Sequence, residues 1–181
     1  MNYLSLGLFC LWVLTEILSG QTVKSGKTKP ALSSEVQEVE TFGDRLAEAA
    51  LFRTTQAVRY DPAYVTLEYP GGDVPADTGV CTDVVIRAYR AVGIDLQPLV
   101  HEDMATSFSA YPKLWGLSRP DKNIDHRRVP NLEAYFKRRG AEVKGGDNQD
   151  FLPGDLVTWD LNGKGLWHIG IVVGPDTFVH N

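Results

Sequence analysis

The sequence predicts an α+β fold, and three observations carry that prediction. Segments with helical periodicity occupy the middle of the chain, segments with a period of two occupy its end, and Gly/Pro-rich turns separate the two regimes. Ser33 to Arg59 is rich in helix formers, with a break near Gly43, and Leu46, Ala49, Ala50 and Arg53 recur at helical spacing. Tyr60 to Gly79 holds Pro62, Pro70, Gly71, Gly72 and Pro75 and reads as loop with short extended pieces. Cys81 to Val92 gives the clearest helix. Its Val84, Val85, Ala88, Tyr89 and Val92 form one apolar stripe, Asp77 or Thr78 can cap its start, Asp83 suits its first turn and Gly93 can end it. His101 to Ala110 and Pro130 to Arg139 are further helix candidates, the second with Pro130 in its first turn and Gly140 after its end. Asp155 to Leu161 and Leu166 to Val173 read as strands joined through Asn162-Gly163-Lys164-Gly165, and Thr177 to Asn181 begins a third.

Length and charge narrow the function classes. The 181 residues suit one domain with a real core, and 43% hydrophobic with 23% charged residues is ordinary for a globular fold. A formal net charge of -5 argues against a general nucleic-acid binder, which carries a basic surplus. No run of apolar residues is long enough to span a bilayer. Residues 1–20 read as a secretory signal peptide, with an apolar run from Leu4 to Leu18 and small residues Ser19 and Gly20 before a polar stretch. No Lys or Arg precedes that run and no small residue sits three before Gly20, so a buried helix is the other reading. The expected organisation is therefore a leader over 1–20, a linker over 21–32 and one domain over 33–181, exported to the periplasm or beyond. Of the two cysteines, Cys10 and Cys81, removal of the leader leaves one. A single thiol in an oxidising compartment is either reactive, half of an intermolecular bridge, or a small buried hydrophobe.

Its neighbours bear on the choice. Cys81 precedes Val84 and Val85 by three and four residues, so it shares the apolar face and points toward the sheet. It also lies in the first turn, where unpaired N–H groups and the helix dipole favour a thiolate and lower the cysteine pKa. His168 shares a strand face with Leu166, Gly170 and Val172, and Gly170 leaves room beside the imidazole. His180 follows the turn Gly174-Pro175-Asp176, and an odd loop puts it on the His168 face. Cys81 as nucleophile, His168 as base and His180 as the residue orienting it then make a Cys-His-His triad; packing roles for all three are the alternative. No zinc pattern is present: there is no close Cys or His pair and no HExxH, and no cofactor is implied.

These residues carry a resemblance. GVCTDVVIRAYRAVGIDL resembles the catalytic helix of the NlpC-type cell-wall cysteine peptidases, PGDLVTWD resembles their first core strand, and HIGIVVGPDTFVHN resembles their histidine strand and hairpin. RYDPAYVTLEYPGGDVPADTGVCTDVVIRAYRA and NIDHRRVPNLEAYFKRRG resemble the bacterial family called domain of unknown function 1287, usually placed near that superfamily. The likeness runs from about Arg59 to Asn181. It implies a papain-like fold and the roles given above to Cys81, His168 and His180. It also implies a tyrosine upstream of the cysteine, for which Tyr69 before Pro70-Gly71-Gly72 is the first candidate and Tyr64 the second, as an oxyanion hydroxyl or as loop packing.

The departures from the pattern matter too. Thr82-Asp83 stands where Ser-Gly is usual, and the Asp83 charge would raise the thiol pKa unless a cation neutralises it. A helical insertion over about 98–150 separates helix and strands and is rich in Arg and Lys. Its Asp125-His126-Arg127-Arg128 segment, together with Asp83, reads as the substrate-binding side, a wall for the carboxylates of peptidoglycan stem peptides. Lys137 to Arg139 reads better as a solvated helix face. A papain-like sheet continues past the His180 strand, so a C-terminally shortened sheet is expected. The function expected is an exported cysteine amidase or peptidase of the bacterial cell wall, with a non-catalytic peptidoglycan-binding module as the alternative.

Overall fold

The computed structural model describes residues 39–143 and 151–181, with the backbone of 2–4. Along the chain run β1 (Asn2–Leu4), α1 (Phe42–Arg53), β2 (Arg59–Tyr60), β3 (Thr78–Gly79), α2 (Cys81–Ala91), α3 (Leu96–Ser107), α4 (Val129–Arg138), β4 (Glu142–Val143), β5 (Leu156–Asp160), β6 (Trp167–Gly174) and β7 (Thr177–Val179). The class is α+β as expected. Of the expected leader only residues 2–4 are described, as a strand between β4 and β5; its remainder and the linker over 21–32 lie outside the described residues.

The sheet has the order β4-β1-β5-β6-β7, and its centre is the antiparallel meander β5-β6-β7. Trp159 pairs with His168 across β5 and β6, while Val179 pairs with Ile171 across β6 and β7. Alternation along β6 sends Ile169 and Ile171, both fully buried, toward the helices. There they meet Leu46 and Ala50 of α1, Val85 and Ile86 of α2, and Leu132 and Phe136 of α4. Ile86 joins this core although it lies outside the stripe drawn from the sequence, because α1, α3 and β6 pack on α2 from more than one side.

Three local differences from the sequence reading have plain causes. Gly43 does not break the first helix but sits inside its first turn, where the Thr41 hydroxyl accepts from the Asp44 N–H and the Thr41 backbone N–H donates to the returning Asp44 carboxylate. The third helix begins at Leu96, not His101, because Asp95 accepts from the Gln97 N–H and Pro98 is tolerated in a first turn. Neither Asp77 nor Thr78 caps α2. The N-cap is Val80, whose N–H donates to the Asp83 carboxylate at 2.6 Å. The helix ends as expected at Gly93, with φ +87°, where the Ile94 N–H reaches back to the Tyr89 carbonyl. The region expected as an insertion supplies Val100, Met104, Leu132 and Phe136 to the core, so it is part of the domain's packing.

Candidate functional site

Strand geometry brings the two imidazoles together just past β7 and sets the thiol against Ile169, the residue after His168. The Val172 N–H donates to the Asp155 carbonyl on the β5 side. N–H groups alternate edges along a strand, so those of Ile171 and Ile169 turn toward β7. The last paired residue of β7 is Val179, opposite Ile171. The Ile169 backbone therefore projects past the end of that ladder, and there it hydrogen-bonds the Cys81 sulfur. The thiol is buried in the core with Ile169 and Ile171, so it points toward the sheet as expected, and it meets β6 at a notch beside the residue that follows His168.

His180 is the first residue after β7. Its Nδ1 lies 2.9 Å from His168 Nε2, so the two imidazoles share a face, but not through an odd turn: only Pro175 and Asp176 separate β6 from β7, and a register shift between Val172 and Gly174 restores the parity. The rings meet nearly edge to face, and Trp159 packs against both, at 4.7 Å from His168 and 5.7 Å from His180 between centroids. Gly170 leaves the room expected of it: a Cβ there would meet Phe178 Cδ2 at 2.8 Å and the Val179 carbonyl at 3.0 Å. The Asn181 side chain donates to the Gly79 carbonyl at 3.0 Å, which ties the end of β7 to the loop before Cys81.

The electrostatics correct one expectation. The Cys81 thiol is buried, at 4% exposure, and burial pushes its pKa up. Hydrogen bonds from the Ile169, Thr82 and Cys81 backbones act against that, and the Asp83 charge adds to it. Desolvation outweighs the helix start here. His168 is held below its ordinary pKa by burial and then by His180. The resting pair is therefore neutral thiol and neutral imidazole.

Asp83 does have the neutralising cation. Arg127 grips it with Nε on Oδ1 and Nη2 on Oδ2, both at 2.9 Å, with both side chains buried. The Thr82 hydroxyl donates to the Arg127 carbonyl, so two consecutive residues of α2 hold this segment. The substrate-binding role expected of Asp83, Asp125 and His126 does not fit their places. Asp125 is fully buried, faces His101 Nδ1 at 3.1 Å and accepts from the Asp121 N–H. His126 is 1% exposed, and burial pulls its pKa down to about 3. These three hold the frame. Arg127 and Arg128 instead line a cleft of about 240 Å³ that opens on Cys81.

The tyrosine candidates are also displaced. Tyr69 Oη donates to Glu102, with the ring against His101, and Tyr64 Oη meets Asp121 and Asn123. Neither lines the Cys81 cleft; Tyr60 does. The parallel pairing of β2 with β3 puts Tyr60 beside Gly79, two residues before the thiol. Burial raises its pKa, and the charges of Cys81 and Asp83 raise it further. Sequence reasoning passed over Tyr60, Trp115 and Trp159, since a two-residue parallel pairing leaves no periodic signal. Among the described residues no cluster of metal-ligating side chains occurs.

Comparison with known proteins places this arrangement. The profile of a family described as "Domain of unknown function (DUF1287)" matches residues 47–180. The chain belongs to that family. The Escherichia coli (strain K12) protein called "Uncharacterized protein YijF" is 48% identical over 176 residues, which cover 93% of this chain and 85% of that protein. No solved structure matches. The DUF1287 match takes in Cys81, the Asp125–Arg128 segment, His168 and His180, so the whole notch lies inside the shared domain.

Proposed function

We propose that this DUF1287 protein is an exported cysteine hydrolase, an amidase or peptidase of papain-like (NlpC-type) fold, cleaving peptide or amide bonds of the bacterial cell wall. The observation that carries this reading is the His168–His180 hydrogen bond at the notch where Cys81 meets the β6 backbone. With His168 Nε2 committed to His180, Nδ1 is the nitrogen to serve the thiol, in competition with the hydrogen bond that the ring makes to the Asn181 backbone. A proton on Nε2, donated to His180 Nδ1, keeps Nδ1 a free base. During attack the Cys81 sulfur bonds to the substrate carbonyl carbon while its proton passes to His168 Nδ1. The Cys81 N–H at the helix start steadies the oxyanion. Collapse breaks the C–N bond, His168 returns the proton to the leaving amine, and a thioester remains. Water then cleaves the thioester, with His168 again taking a proton. Because thiol and imidazole both rest neutral, this is general-base catalysis and not attack by a stored thiolate. The cell-wall assignment and the papain-like fold rest on the resemblance of the ordered motifs. Export rests on residues 1–20 and predicts a mature N-terminus near Gln21, in which residues 2–4 no longer cover the outer edge of β5.

Purified peptidoglycan incubated with the wild type should release new amine termini, and Cys81→Ser should release none. Equal release by both would remove Cys81 as nucleophile. One observation favours a second reading. A thiol that is buried and pushed up in pKa suits a non-catalytic module that holds peptidoglycan peptides in the same cleft. That module would bind peptidoglycan equally well as Cys81→Ser and give no product from either form.

A further inference from the structure

The Cys81 cleft contains cations whose hydrogen-bonding capacity is not used up. Arg127 spends Nε and Nη2 on Asp83, yet its Nη1 is buried with no partner among the described residues, on a side chain only 2% exposed. The neighbouring Arg128 also has a buried, unpartnered Nη1, and its guanidinium lies 4.0 Å above the Trp115 ring. Burial lowers the Arg128 pKa, against the opposing charges of Asp125 and Asp121. A guanidinium nitrogen kept from both water and protein acceptors is costly unless a ligand oxygen meets it. Both residues line the cleft that holds the thiol, with Trp115, Leu166 and Trp167 as its apolar walls.

We propose that Arg127 Nη1 and Arg128 form a carboxylate-binding subsite, so that the substrate carries a free carboxylate near the bond presented to Cys81. This rests on reading the cleft as a substrate site, which the hydrolase and the binding module share. Two features select a carboxylate over a more highly charged anion. Asp83 already offsets Arg127, and Asp121 and Asp125 act on Arg128, so the subsite offers unused N–H donors without a large positive charge, which disfavours a polyanion such as phosphate. Stacking on Trp115 fixes the Arg128 plane, which suits a planar two-oxygen acceptor. The apolar walls accept a compact acyl or alkyl stem beside the carboxylate.

The test measures protection of Cys81 from iodoacetamide, each variant being compared with its own unprotected rate. The probes are N-acetylglycine, with a main-chain carboxylate; N-acetylglutamic acid α-amide, with a side-chain carboxylate; N-acetylglycinamide, with none; and inorganic phosphate. One or both carboxylates should protect saturably and the diamide should not; which one protects says where the substrate carries the group. Arg128→Gln should raise the half-protecting concentration at least 10-fold, and Arg128→Lys should recover only part of that. Protection by neither carboxylate, equal protection by the diamide, stronger protection by phosphate, or an unchanged half-protecting concentration in Arg128→Gln would each overturn the subsite. Because protection needs no turnover, a Cys81 that cleaves nothing would leave this result standing and remove only the hydrolase reading.

Discussion

Arg127 holds Asp83 through two nitrogens, each 2.9 Å from a different carboxylate oxygen, and that carboxylate also caps the helix that starts at Cys81. One buried pair thus joins the Asp125–Arg128 segment to α2. Arg127→Met leaves the Asp83 charge buried with one backbone donor, and should destabilise the domain by about 3–5 kcal/mol. Urea denaturation checks this. Asp83→Asn combined with Arg127→Met should recover more than half of the loss, since the orphaned charge is gone. A double variant as unstable as Arg127→Met would mean that packing, not charge, sets the cost.

Acid should loosen the same segment. His126 is buried and neutral, with a pKa of about 3 in the fold against an ordinary 6.5. The unfolded chain binds a proton that the fold refuses, so stability falls as pH drops below 6.5 and the loss is complete near pH 3. At about 1.4 kcal/mol per unit, His126 accounts for on the order of 5 kcal/mol across that window. His168, lowered in the same direction, adds to it near the upper end. Chemical denaturation at pH 7, 5.5 and 4.5 should show this slope in the wild type and a shallower one in His126→Gln. Parallel slopes would take His126 out of the account.

Much of the fold was legible because its signals are local and periodic: the apolar stripe of α2, the alternation in β6, Pro130 before Gly140. The His168–His180 contact was legible only in part: the two strands show in the alternation, but the two-residue turn alone would set the histidines on opposite faces, and the register shift between Val172 and Gly174 that brings them together leaves no local signal. What the sequence hid depends on long-range packing. Nothing local says that Arg127 reaches Asp83, that Asp125 and His126 are buried, or that β2 pairs with β3 and carries Tyr60 to the thiol. The thiol pKa was misjudged for the same cause: the helix start is visible in the sequence, while the burial that outweighs it is not.

Gly170 tests the hairpin that carries the two histidines. A Cβ at this position runs into Phe178 and the Val179 carbonyl, so Gly170→Ala must push β7 away from β6. The expected cost is about 2 kcal/mol, with a larger effect on hydrolysis than on fold, because His180 rides on the displaced strand. Retention of wild-type turnover would show that the His168–His180 contact does not matter for catalysis. His180→Ala complements this without a clash. It should cut kcat on the order of 10²-fold by freeing the His168 ring, while peptidoglycan binding stays near wild type.

The neutral resting state of the thiol gives its own signature. A cysteine raised above its ordinary pKa is almost wholly protonated at pH 7. Alkylation of Cys81 by iodoacetamide should therefore be slower than that of a free cysteine at pH 7 and keep rising beyond pH 9. Hydrolysis should behave differently. It requires neutral His168, whose pKa is lowered, so kcat/KM should climb below pH 6.5 and level off by neutrality. A fast alkylation plateau reaching down to pH 6 would show a stored thiolate and overturn general-base attack.

Tyr60 and Tyr69 separate the geometry of this chain from the family pattern. Tyr69 donates to Glu102 and lies against His101, so Tyr69→Phe should change turnover less than about 3-fold, within a loss of about 1 kcal/mol for one hydrogen bond. Tyr60 lines the cleft close enough to Cys81 that a thiolate there would raise its pKa, so its hydroxyl is placed to donate to an oxyanion formed there. Losing one such donor costs on the order of 10²-fold in kcat, with KM little changed. Steady-state kinetics on a soluble peptide amide would read both variants. The reverse ranking, with Tyr69→Phe the more damaged, would return the oxyanion role to the residue before Pro70 and require Tyr69 to leave Glu102 when substrate binds.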